Sequence, residues 1–158
     1  MKNGFTLPEL IVVIGVFGLL VGLAITNVVR SQYKASLEST VSIVIGDIKN
    51  QQLKAMVGDT EGRTTNDSYG IFFATNEYTL FHGPTYDSVD SSNYTINLED
   101  KIQFTDVVFP QTQIVFASGS GEVASFVSGS NSFAITNRLN GEKKTITINA
   151  LGVITGVN

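Results

Sequence analysis

At 158 residues the chain has room for one globular domain beside a long helix, and nothing in it indicates a second. It has no cysteine, which excludes a disulfide framework, a thiolate metal site and a thiol nucleophile. The formal net charge is −4, and only Lys2, Glu9 and Arg30 among the charged residues precede Ser31, so the rest of the chain is acidic and poorly suited to neutralising phosphates.

The chain opens with Met1-Lys2-Asn3-Gly4, then Phe5-Thr6-Leu7-Pro8-Glu9, and runs directly into the uncharged stretch Leu10–Val29. About 20 helical residues at about 1.5 Å rise reach about 30 Å, the thickness of a bilayer's hydrocarbon core. A transmembrane span is therefore expected here, longer than the apolar region of a secretory signal peptide. Glu9 sits at its lip. A carboxylate costs roughly 2.5–3.5 kcal/mol at mid-bilayer and less at the edge, so it calls for a function. Gly15, Gly18 and Gly22 fall three and four residues apart on one helix face. Such a stripe lets neighbouring backbones approach closely in lipid, or lets the helix loosen, since glycine costs about 1 kcal/mol against alanine.

This order of parts, a short basic leader ending in Gly4, then Phe5 to Glu9, then an apolar helix, resembles the processing signal of type IV pilins and of the pseudopilins of type II secretion and DNA-uptake systems. The resemblance implies that a membrane prepilin peptidase cuts between Gly4 and Phe5, that the new amino group of Phe5 is methylated, and that Glu9 pairs with the amino terminus of a neighbouring subunit. It also implies the partners: other pilin or pseudopilin subunits, the peptidase, an inner-membrane assembly platform and the membrane itself. The body would be extracytoplasmic, first on a single-pass inner-membrane anchor and later in a pilus or pseudopilus. That orientation rests on the resemblance, because Lys2 alone precedes the span while Arg30 and Lys34 follow it. Many pilins close a C-terminal loop with a disulfide, which this chain cannot do.

Beyond Arg30 the helical pattern continues but becomes amphipathic. Leu37, Val41, Val44, Ile48, Gln52 and Ala55 recur at three- and four-residue steps, with Ile45 alongside, predicting one helix from about Pro8 to Met56. Gly58 and the polar run Asp59–Asp67 end it.

From Tyr69 the period becomes two. Strands are predicted at Tyr69–Phe73, Glu77–Phe81, Tyr94–Leu98, Gln113–Ala117, Glu122–Val127, Ser132–Leu139, Lys144–Asn149 and Val153–Val157. Asn140-Gly141 marks a hairpin that Glu142 lengthens, Leu151-Gly152 another reversal, and 118–121 and 128–131 read as turns. A helix with one apolar stripe followed by antiparallel strands with one apolar face gives an α+β fold, the helix packed on an antiparallel sheet. This is the pilin layout. The strand-rich body looks most like the H-type minor pseudopilins and the FimT-like pilins. The expected segments are a leader at 1–4, an assembly helix at 5–29, an amphipathic helix at 30–57 and a β-rich body at 58–158.

No catalytic residues, cofactor or metal are expected. His82 is the only histidine and no nucleophile-elbow pattern is present, so His82 reads as a loop residue at a strand end. The oxygen-rich stretch Asp87–Asn93 has the ligand type of a calcium loop but not the spacing of one, and reads as a polar surface loop. Lys143-Lys144 is the only basic pair and reads as a solvated strand edge. No nucleic-acid partner is expected, and the C-terminal segment 150–158 lacks the basic tail of FimT-like DNA receptors. The expected function is that of a structural subunit, minor or initiating, of a type IV pilus or a secretion pseudopilus. A DNA-uptake receptor and a membrane-anchored domain that forms no filament stay open as alternatives.

Overall fold

The computed structural model describes residues 6–64 and 66–158, and within these the side chains of 22–31 lie outside the description. The chain falls into two compact units, Met1–Ser36 and Leu37–Asn158. The long helix α1 runs from Leu7 to Val57. Its first part, in the first unit, presents the apolar side chains Leu10–Val21 to solvent. Among the described residues no helix is long and apolar enough to cross a membrane, and residues 22–29 of the expected span fall among the undescribed side chains.

In the second unit the remainder of α1 is anchored by its stripe. Leu37, Val41, Val44, Ile48 and Ala55 are buried, and each large aliphatic side chain so covered stabilises the fold by about 1.5–3 kcal/mol. The stripe corrects one expectation. Gln51, not Gln52, is the buried member, because the steps Val44, Ile48, Gln51, Ala55 keep to one face whereas Gln52 is rotated off it. Gln52 instead donates its amide to the carbonyls of Gly121 (3.0 Å) and Leu151 (2.8 Å), fastening two loops to the helix. The helix stops at Gly58, whose φ of +65° turns the chain. There Gly58 N–H returns to Ala55 O and Asp59 N–H to Lys54 O, satisfying the last carbonyls.

Among the described residues eight strands follow: β1 (Tyr69–Phe73), β2 (Glu77–His82), β3 (Tyr94–Asn97), β4 (Ile102–Thr105), β5 (Gln113–Phe116), β6 (Ser132–Asn137), β7 (Lys143–Ile148) and β8 (Ile154–Val157). The protein is α+β, but the strands form two four-stranded antiparallel sheets where one sheet body was expected. The orders are β3-β2-β1-β5 and β4-β6-β7-β8. Register within the first pairs Gly70 with Phe81 and with Val115. That position needs glycine, since a β-carbon there would run into the Phe81 ring.

The expected strand at Glu122–Val127 does not form. Only Val123 bridges to Phe116, because Gly121 and Ser125 both take positive φ and break the extended run on either side. The structure adds β4, which pairs with β6, and a single 3-10 turn at Pro110–Thr112. The Asn140-Gly141 loop does include Glu142, whose carbonyl accepts from Asn137 N–H.

An aromatic cluster joins the two sheets. Phe73 of β1 stacks on Phe133 of β6 at 4.7 Å between ring centroids and meets Phe104 of β4 edge-on at 5.1 Å. Tyr78 of β2 meets Phe104 at 5.9 Å and donates its hydroxyl to Asp47 of α1. Burial, together with that bond and the Asp47 charge, raises the Tyr78 phenol well above its usual pKa.

All the buried hydrophobic residues of the described structure lie from Leu37 onward. Residues 31–158 alone are therefore expected to be soluble, monomeric and folded, with a circular dichroism spectrum of mixed helix and strand. A fragment that stays unfolded, or needs detergent, would contradict this partition of the core.

Candidate functional site

The site indicated by the sequence lies at the start of α1. Gly4 and Phe5 lie outside the described residues. The first described residue, Thr6, precedes the helix, and its carbonyl accepts the first helical bond from Leu10 N–H at 3.1 Å. Pro8 falls in the first turn, where a missing N–H costs nothing. Glu9 reaches back. Its Oε2 accepts from the Thr6 backbone N–H at 3.3 Å and from the Thr6 hydroxyl at 3.2 Å. This is the acidic half of a capping box, and it places a negative charge against the positive end of the helix dipole. The capping role is readable in the sequence, since Thr6-Leu7-Pro8-Glu9 fits the S/T-x-x-E spacing before an apolar run, and it stands beside the charge near lipid and the subunit pairing expected of Glu9.

Past Glu9 the sequence of the helix carries no charge until Arg30. Leu10, Ile11, Val12, Val13 and Ile14 are all exposed, and the same holds through Val21. Gly15 and Gly18 have nothing within 4 Å of where a β-carbon would stand, so among the described residues nothing packs on them. Gly22 lies in α1 among the residues whose side chains are not described. A continuous apolar surface of this kind on a single chain marks an interaction face.

The remaining candidates are dispersed over the second unit. His82 is the last residue of β2 rather than a loop residue, with its Nε2 3.7 Å from Asp67 Oδ2 and its ring edge-on to Tyr69. Across Asp87–Asn93, side-chain oxygens are used within the loop: Asp87 accepts from Val89 N–H, and Asp90 from the N–H and hydroxyl of Ser92. These bonds hold the Asp90 carboxyl below its usual pKa, the Ser92 hydroxyl contributing most. Among the described residues no group of three or more histidine and acidic side chains is arranged to hold a metal ion. Lys143 pairs with Asp106 at 3.0 Å, leaving the basic pair a partly neutralised strand end.

Comparison with known families matches residues 1–25 to the prokaryotic N-terminal methylation motif, the prepilin signal of type IV pilins and pseudopilins. No curated protein and no solved structure matches the chain.

Proposed function

We propose that this chain, which carries the prepilin signal of type IV pilins and pseudopilins and so has prepilin peptidase and other pilin subunits as implied partners, is an assembly subunit, minor or initiating, of a type IV pilus or a type II secretion pseudopilus. The observation that carries the reading is the junction of that signal with the uncovered apolar stretch Leu10–Val21. Covering each large aliphatic side chain there is worth about 1.5–3 kcal/mol, so lipid before assembly and neighbouring helices after it are the natural surroundings.

In this account the peptidase cuts between Gly4 and Phe5 and the amino group of Phe5 is methylated. The helix at 5–29 spans the inner membrane until the assembly platform extracts it, and Gly15, Gly18 and Gly22 let neighbouring helices close in. Residues 30–57 and 58–158 form the extracytoplasmic domain. The role is structural, not catalytic. Glu9 would be the fifth residue of the mature chain. Its carboxylate accepts from Thr6 N–H within the chain, and in this account it pairs with the amino terminus of a neighbour once subunits pack.

The test is Gly4→Leu. The peptidase needs a small residue before the scissile bond, so in a host that has the enzyme the variant should keep its leader while the wild type loses it, as read by intact mass. A wild-type chain left uncut in that host would remove the reading.

A further inference from the structure

In the second unit β5 is an edge strand whose outer side is only partly used. Ala124 N–H donates to Val115 O at 2.7 Å and Ala117 N–H to Glu122 O at 2.8 Å, which makes the single bridge between Phe116 and Val123. The first of these bonds means that Val115 turns its backbone groups away from β1. Alternate residues of a strand turn the same way, so Gln113 does too. The pairing stops there. Ser125 takes a φ of +56°, which swings the chain off the edge, and no return bond runs from Val115 N–H to Ala124 O. Gln113 N–H is spent on Pro110 O. Among the described residues two backbone groups therefore face outward without a partner, the carbonyl of Gln113 and the N–H of Val115.

Where the chain leaves the edge, a cavity of about 200 Å³ opens, with Gln113 and Val115 both in its wall. Phe109, Pro110, Val123, Phe126 and Val127 give the wall its apolar surface, and no residue of the wall is charged. A cavity of roughly 150 Å³ admits benzene, so a leucine side chain is of suitable size. A fully paired antiparallel neighbour would need Gln113 N–H and Val115 O, which Pro110 and Ala124 already hold. One residue of a chain running parallel to β5 needs neither. Its N–H goes to the carbonyl of Gln113 and its carbonyl accepts from Val115 N–H, two positions on. Ala124 stands across from Val115, so pairing is limited to that one residue and the flanking chain leaves through the mouth of the cavity.

We infer that this cavity takes one leucine-like residue from an extended, uncharged segment of another protein, held by β-pairing to Gln113 and Val115 with its side chain inside. In strand addition of this kind the main-chain bonds supply affinity and the pocket selects the side chain. A charged residue is disfavoured, because nothing in the wall would pair with it. A second copy of this chain does not supply the residue. Outside α1 the exposed leucines among the described residues are Leu139 and Leu151, and both spend their N–H in turns, on the side-chain oxygens of Asn137 and Asn149. The inference stands apart from the assembly reading.

The probe is the peptide acetyl-Gly-Leu-Gly-amide, titrated into the full chain in detergent micelles. The backbone amide proton of Val115 should move downfield and saturate, with a millimolar dissociation constant. The D-leucine form enters micelles equally well but cannot bring its N–H, carbonyl and side chain to the site together, so it should give no saturable shift. Methylating the leucine nitrogen removes the donor to Gln113 O and should weaken binding about fivefold. Replacing the leucine of the peptide by aspartate should abolish binding. Val127→Asp, at a side chain 48% exposed and outside the buried core, puts a charge in the wall and should weaken binding about tenfold. Equal affinity for the two enantiomers, an unsaturable response, an N-methyl peptide that binds as tightly as the parent, or wild-type binding by Val127→Asp would overturn the site.

Discussion

Glu9→Ala is expected to be cleaved and to remain in the membrane, yet to be absent from filaments. The peptidase reads the leader and its junction, which the substitution leaves intact. Assembly is different, because on the proposed reading it buries the amino terminus at Phe5 among packed helices. Removing one partner of a buried ion pair leaves the other charge uncompensated, at a cost of about 3–5 kcal/mol per subunit. At about 1.4 kcal/mol per tenfold, that excludes the variant from a filament in competition with wild type. The capping role adds a smaller effect, since Thr6 N–H loses its acceptor and the first turn loses about 1 kcal/mol. The two contributions separate in Glu9→Gln, which keeps an acceptor for Thr6 but no charge. If capping were the whole role, Glu9→Gln would assemble normally; if ion pairing dominates, it fails as Glu9→Ala does. The readout is the ratio of cleaved chain in sheared filaments to cleaved chain in membranes.

Phe73→Ala should have the largest effect on the body. Phe73 is 3% exposed, and its ring contacts both Phe133 and Phe104, so its removal opens a cavity where the two sheets meet. Phenylalanine to alanine in such a place costs about 3–5 kcal/mol, a large part of the roughly 5–15 kcal/mol that holds a domain folded. Denaturant titration of the chain should show a correspondingly lower midpoint. Val89→Ala, at a side chain 84% exposed, should stay within about 0.5 kcal/mol of wild type. Equal midpoints for the two variants would show that the sheets do not share the aromatic core.

Local pattern made most elements legible in the sequence. The boundaries of α1 follow from Thr6-Leu7-Pro8-Glu9 at one end and Gly58 at the other, and β1 falls where Tyr69–Phe73 predicts it. What was not legible is long-range. Alternation of apolar and polar residues says that a strand has a buried face but not which strand it pairs with. Thus the pairings β1 with β5 and β4 with β6, which divide the body into two sheets, had no sequence signal. Short runs fail in both directions. Ile102-Gln103-Phe104-Thr105 alternates cleanly but is only four residues long, whereas Glu122–Val127 looks extended until the positive φ at Ser125 is known. The choice between Gln51 and Gln52 turned on one residue of helical phase.

On the proposed reading this chain is processed and then built into a filament. Intact-mass analysis of filaments sheared from cells that have the peptidase tests both steps at once. The account predicts the chain in that fraction, beginning at Phe5 and one methyl group heavier than the bare sequence from that residue. Recovery of the cleaved chain from membranes alone, in cells whose other subunits do form filaments, would contradict it.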